Sequence, residues 1–336
     1  MYMFRFELKT LQLLPDELDE STYGLEVKNA KNGKYQAEDF FIFLDILGSG
    51  RTGVVFRAIF KPDNKELAVK FISHFRKYRA NVMRELSVLK MTRKCRFLVQ
   101  YHSHFRVGNN LYIVTELYEG GSLQALLDPL LALPPLLTRV FMKEVCTALF
   151  FLHHYRLVHR DLNPSNIVIT TTGHLRVADF SLTRMIEEPM GEILTNCGHP
   201  AYKAPELYLD RPCTCGIDWW SVGILLYRFV TGVCPFETDK LTRGFQSVTK
   251  LNVKYPSWAF DDPGTLDLCQ RLLVKEPRHR LGSGNKDVIK KLWQILSPSD
   301  TMGKGSARSK RLRSTSLMPH VFSKYLFGDP TGSFVQ

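Results

Sequence analysis

The segment His159-Arg160-Asp161-Leu162-Asn163-Pro164-Ser165-Asn166 leaves this chain few choices. A carboxylate and an amide stand five residues apart on a stretch whose Pro164 forbids a continuing helix. Ile167-Val168-Ile169 and Leu175-Arg176-Val177 follow, and they read as two short strands turned around Thr172-Gly173. Asp179 comes thirteen residues after Asn166, at the far end of that hairpin. The hairpin therefore returns a second carboxylate toward the first. Asp161 can accept a proton from a hydroxyl. Asn166 and Asp179 offer hard oxygen donors of the kind Mg²⁺ takes.

Gly48-Ser49-Gly50-Arg51-Thr52-Gly53-Val54-Val55 lies upstream. Glycines let backbone N–H groups approach phosphate oxygens with no side chain in the way. Alone the pattern is weak, and a plain glycine-rich hairpin competes with it. The β-branched Val54 and Val55 predict a strand after the glycines, where a dinucleotide-binding fold would place a helix. Lys70 follows Gly53 by seventeen residues, between Val69 and Phe71. An ammonium inside a strand needs a partner. Glu85, in a segment with helical spacing, can supply one, and an ion pair that also holds phosphates explains both charges.

The periodicity changes along the chain. Phe41 to Leu47, Gly53 to Phe60, Leu67 to Ile72 and Leu111 to Leu117 predict strands, with one helix over Asn81–Lys90. Beyond them, helices are expected at Thr138–His153, Asp218–Thr231 and Thr265–Leu273. A strand-rich first part and a helical second part imply an α+β chain of two lobes. The expected divisions are an extension of unassigned role at 1–39, a catalytic domain at 40–296 and a flexible basic tail at 297–336. Within the domain, the N-lobe covers 40–115, a hinge 116–119 and the C-lobe 120–296.

The net charge is +12, of which residues 301–336 contribute +5. A basic tail suits nucleic acid, acidic lipid or an import signal, but no groove-reading or aromatic motif accompanies it, so specific nucleic-acid binding is not expected. Seven cysteines without framework spacing imply reduced thiols. No run of 18 apolar residues suggests a membrane span, and Arg5, Glu7 and Lys9 interrupt the N-terminus where a signal peptide would be apolar. The expected compartment is the cytosol or nucleus.

Together these motifs match, in order and spacing, a eukaryotic protein kinase over about residues 41–296. The chain resembles that family, and the resemblance implies a bilobal kinase fold that binds Mg-ATP between its lobes and phosphorylates serine or threonine in a protein substrate. Leu47, Gly48, Ser49, Gly50 and Gly53 would lie over the nucleotide. Lys70 would pair with Glu85. Val55, Ala68 and Val168 would sandwich the adenine, Thr115 would be the gatekeeper, and Glu116 to Tyr118 would read the adenine edge. Leu89, Leu98, His159 and Phe180 would stack as a spine. Asp161 would be the catalytic base, and Asn166 and Asp179 would bind Mg²⁺.

The stretch Thr195-Asn196-Cys197-Gly198-His199-Pro200 and Arg280-Leu281-Gly282 are similar to the AGC group. By that likeness Thr195 would take an activating phosphate from an upstream kinase, with Arg160 as its partner. Glu206 would pair with Arg280, and Asp218 would brace the catalytic loop.

Four departures from the family bear on turnover. Asn163 stands in place of a lysine that contacts the γ-phosphate. His199 replaces a threonine, and its protonated ring is one candidate for the missing cation. Ser181 replaces a glycine and should restrict the backbone after Phe180. Ser122 and Ser165 occupy positions where the group carries acids, so a preference for basic peptides is not expected. Asn163, His199 and Ser181 also motivate an alternative, an impaired pseudokinase acting as a nucleotide-binding scaffold.

Overall fold

The computed structural model describes residues 36–50, 53–186, 197–236 and 241–283. Thr195, most of the 1–39 extension and the basic tail lie outside the described residues. The described residues divide into two compact units, one of those within 36–77 and 102–115 and one of those within 78–101 and 116–283.

The first unit is an antiparallel sheet. Its strands are β1 (Phe41–Gly50), β2 (Gly53–Phe60), β3 (Lys65–Ile72), β4 (Tyr101–Val107) and β5 (Asn110–Glu116), in the order β1-β2-β3-β5-β4. Leu67 and Val69 of β3 are fully buried and share a core with Ala37, Phe41, Ala58, Phe105 and Val114. Phe105 stacks on Tyr112 at 4.7 Å and on Phe41 at 5.5 Å between centroids, so aromatic rings fill the space over this face. Strand alternation then turns Ala68 and Lys70 to the opposite face. Val55 lies directly across from Lys70, and Gly48 across from Val55. One face thus carries Gly48, Val55, Ala68 and Lys70 together.

The second unit holds the helices: α1 (Arg79–Thr92), α2 (Leu123–Leu127), α3 (Pro135–His154), α4 (Pro205–Tyr208), α5 (Gly216–Thr231), α6 (Leu241–Lys250) and α7 (Pro263–Leu272). Two short antiparallel pairs accompany them. One joins β6 (Leu157–Val158) to β9 (Arg184–Met185), the other β7 (Ile167–Ile169) to β8 (Leu175–Val177). Helix α1 groups with this unit, although it falls among the strands in sequence.

Helix α5 is apolar nearly all round, from Ile217 and Trp219 to Phe229, and almost every residue is buried. It ends at Gly232, whose φ of 79° is the left-handed cap that glycine adopts without strain. Helix α3 starts three residues before the expected Thr138. Pro135 occupies its first turn, where a missing N–H costs nothing.

Candidate active site

Gly53 is required by packing. A Cβ there would lie 2.1 Å from the Phe71 carbonyl oxygen. Gly48 and Gly50 differ, since a Cβ on either meets no atom within 4 Å. Packing among the described residues therefore does not demand glycine at either position. Leu47 stands half exposed at the turn of the same strand.

In the helical unit, Glu85 sits on the buried stripe of α1 with Val82, Leu86 and Leu89. Lys70 and Glu85 belong to different units. The hinge begins at Glu116, whose N–H donates to the Gln100 carbonyl at 3.0 Å. The Tyr118 phenol bonds the Gln100 N–H at 2.9 Å and Glu116 at 3.3 Å. Burial pushes its pKa up to about 12. Tyr118 therefore spends its side chain on holding the hinge, and only its main chain remains to read a base edge. Gln100, which also donates to the carbonyls of Thr92, Cys95 and Leu98, escaped the sequence reading.

The catalytic loop hangs from α5. Asp218 is fully buried and accepts from the N–H groups of His159 and Arg160, each at 2.8 Å. His153 of α3 adds a third bond at 2.8 Å. Burial pushes the Asp218 carboxyl upward, but the His153 contact and the N–H bonds outweigh it, and its pKa falls below the usual value. This grip holds Arg160 at φ 69°, a conformation that side chains rarely adopt.

The loop's polar groups converge on Asp161. Its Oδ1 accepts from Asn163 Nδ2 at 3.1 Å and from the His199 N–H at 2.9 Å. Its Oδ2 accepts from Asn166 Nδ2 at 3.0 Å. Asn166 thus spends its nitrogen on Asp161, and its side-chain carbonyl oxygen, in the same amide plane, points away from that bond. The Ala178 N–H bonds the Asn166 main-chain oxygen at 2.8 Å, and this link brings Asp179 alongside. Asp179 is held at φ 55° and accepts from the Ser181 N–H at 3.2 Å. An amide oxygen beside a carboxylate is a donor set that fits Mg²⁺.

Val168 lies in β7, bridged to Ser122, whose hydroxyl caps α2 by accepting from the Ala125 N–H. His159 meets Phe180 at 5.6 Å between ring centroids, and Leu98, His159 and Phe180 are buried in the same unit as Leu89. His159 Nε2 donates to the Ala178 carbonyl, which fixes its tautomer and leaves Nδ1 to accept from the Asp161 N–H.

One expectation is corrected. A protonated His199 does not stand in for the missing lysine. The ring retains solvent contact, yet its Nδ1 accepts from the Ala201 N–H at 3.3 Å, which a protonated nitrogen cannot do. Crowding by protein, with Arg228 nearby, pushes its pKa below the ordinary value despite Asp161. What His199 gives Asp161 is its main-chain N–H. Ser181 stays outside the left-handed region, so its Cβ adds no strain to this conformation.

Glu206 and Arg280 form a bidentate pair at 2.6 and 2.8 Å, both fully buried. A second basic site gathers around Arg160. Arg160 Nε donates to the Leu182 carbonyl at 2.7 Å, but its buried Nη1 finds no hydrogen-bond partner among the described residues. Arg84 of α1 and Arg184 of β9 both reach Asn81 Oδ1, at 2.7 and 3.5 Å. Burial and repulsion from Arg160 lower the pKa of Arg84 and Arg184 alike, Arg184 also feeling Arg84. Nothing in the local sequence announces that these three arginines meet.

A protein kinase domain model matches residues 41–294. The chain belongs to the protein kinase family. It is 31% identical over 273 residues to Protein kinase 2 of Dictyostelium discoideum, covering 80% of this chain and 56% of that protein. It is 28% identical to cAMP-dependent protein kinase type 3 of Saccharomyces cerevisiae, over 78% of this chain and 66% of the yeast protein. It is 32% identical to human serine/threonine-protein kinase Sgk2, over 72% of this chain and 67% of the human one. The family resemblance is thus to the serine/threonine type, in its AGC-like branch. The matched region spans about half to two thirds of these relatives. Among the described residues, no helix is long and apolar enough to cross a membrane.

Proposed function

We propose that this kinase domain transfers the γ-phosphoryl group of Mg-ATP to serine and threonine hydroxyls of a protein. The observation that carries the reading is the Asp161 carboxylate, oriented by three donors and flanked by Asn166 and Asp179. An oriented carboxylate within a rigid loop is what a general base needs. Bound Mg²⁺ would supply charge neutralisation on the phosphates, with Asn166 and Asp179 as its holders. Lys70, on the sheet face it shares with Val55 and Ala68, is the cation this reading assigns to the phosphates.

Regulation follows from the arginine cluster. Three neighbouring cations, one with an unsatisfied buried N–H, favour the arrival of a dianion. A phosphate placed on Thr195 by an upstream kinase is the anion this reading assigns, with Arg84 and Arg184 joining Arg160 as its partners. The scaffold alternative, motivated by Asn163, His199 and Ser181, is less favoured because Asn163 and His199 both donate to Asp161. No disulfide joins cysteines among the described residues, and the cytosolic or nuclear setting stays a part of this proposal that rests on the sequence.

Nucleotide binding and transfer test the reading together. Wild type should show magnesium-dependent ATP binding and label serine or threonine in a mixed protein acceptor. Asp179→Ala should lose the magnesium dependence, and Lys70→Met should lose most of the transfer. Binding without any transfer by wild type would favour the scaffold instead.

A further inference from the structure

Asn163 has a second life in this site. Its family counterpart is a cation, and an amide at the same place looks like a simple loss. The bonds it makes say otherwise. Asn163 is buried, at 3% exposure. Its Nδ2 donates to the Asp161 carbonyl at 3.0 Å and to Asp161 Oδ1 at 3.1 Å, which uses both amide hydrogens. Its Oδ1 accepts from the Ser165 N–H at 3.0 Å and caps the turn at Pro164–Asn166. A lysine can donate to Asp161 but cannot accept from Ser165. Only a side chain with a donor and an acceptor in one rigid plane does both, so Asn163 ties the base to the turn beneath it.

The bonds also distinguish the two oxygens of the base. Oδ1 receives Asn163 Nδ2 and the His199 N–H, which occupy its two lone pairs. The His199 N–H can reach it because Gly198 lies close against the catalytic loop, where a Cβ would stand 2.7 Å from the Arg160 carbonyl oxygen. Oδ2 receives one donor among the described residues, Asn166 Nδ2. One acceptor direction on Oδ2 is left for a substrate hydroxyl.

Resting on the kinase reading above, we propose that Asn163 is a positioning residue that saturates Asp161 Oδ1 and so directs the acceptor hydroxyl to Oδ2. In the transfer step the hydroxyl O–H bond breaks and the proton passes to Oδ2. The oxygen's electron pair forms the bond to the γ-phosphorus. The bond from that phosphorus to the β–γ bridging oxygen breaks, and its electron pair leaves with ADP. Without Asn163 the His199 N–H and Asn166 still hold one oxygen each, but a lone pair of Oδ1 opens, and the hydroxyl is no longer directed to Oδ2 alone.

The test separates the tie to the base from support of the turn. Serine caps such turns about as well as asparagine, but its hydroxyl has no amide nitrogen to reach Asp161 with. Full-length wild type, Asn163→Ser, Asn163→Ala and Asp161→Asn are assayed for kcat and for KM toward ATP and a serine/threonine peptide mixture, with thermal midpoints recorded. Asn163→Ser should fold like wild type yet lose kcat about 10- to 100-fold, the scale of a misplaced catalytic group, with KM for ATP within about twofold. Asn163→Ala should be equally slow and less stable. If Asn163→Ser keeps kcat within about threefold of wild type, the residue only caps the turn and the proposal falls. If wild type is no faster than Asp161→Asn, the kinase reading itself fails and takes this inference with it.

Discussion

Two buried arginines in the helical unit are built in opposite ways. Arg280 uses all five of its N–H donors. It gives two to Glu206 and one each to the carbonyls of Gly216, Val274 and Lys275, and it lies over the Trp220 ring at 5.1 Å. Arg160 is buried to a similar extent, yet its Nη1 is orphaned among the described residues, and Arg84 and Arg184 feel its charge. A buried cation with every donor met belongs to the frame. A buried cation with an unmet N–H can still receive an anion. The difference separates what holds this molecule together from what can switch it.

The largest effect is expected where the satisfied arginine is broken. Arg280→Met leaves Glu206 buried without its partner, and breaking such a pair costs about 3–5 kcal/mol. Urea unfolding of the purified chain should show a loss of that size. A change under about 1 kcal/mol would mean that the pair is dispensable to the frame.

Asp218 links the frame to the Arg160 site, and its ionisation gives the next effect. Its folded pKa is depressed, so the stability it contributes is present above the unfolded carboxyl value of about 3.9. That contribution is lost as the pH falls through the folded value. Wild type should therefore lose stability steeply below about pH 4, and Asp218→Asn should be less stable at pH 7 with a flatter acid limb. Parallel acid limbs would show that Asp218 is not the group responsible.

A smaller effect sharpens the contrast. Arg84→Gln removes one of three like charges at a partly exposed position, so the unphosphorylated chain should be unchanged or stabilised by less than about 1 kcal/mol. Under the role proposed for Thr195, the same variant should blunt any activation that a phosphate on that residue produces. Destabilisation by several kcal/mol would place Arg84 with Arg280, as frame. The smallest effect concerns His199, whose pKa burial lowers and whose Nδ1 accepts from the Ala201 N–H. Transfer rates should show no gain on going from pH 8 to pH 6, and a rate that climbs toward acid would restore the protonated ring as a working cation.

The legibility of this molecule follows the distance over which its contacts act. The Asp161-to-Asn166 loop, the hairpin to Asp179 and the strands that carry Val55 and Lys70 were readable, because strand alternation and turn residues act over a few positions, whereas the register that sets Val55 across from Lys70 came only from the structure. Glu206–Arg280 and Asp218 came through family resemblance, and no periodicity reveals a pair 74 residues apart. His153, Gln100, Arg84 and Arg184 were missed, since each acquires its role only from a distant segment that arrives beside it. The His199 side chain was misjudged for a related reason. Its protonation depends on the Ala201 N–H and on Arg228, and neither stands out as its partner in the sequence.

The central claim is that Asp161, tied down by three neutral donors, still drives phosphoryl transfer. Labelled γ-phosphate incorporation by wild type and Asp161→Asn, with ATP, Mg²⁺ and a serine/threonine acceptor, tests it most directly. The account predicts transfer by wild type and a rate at least about a hundredfold lower for Asp161→Asn. Equal incorporation by the two proteins would contradict it.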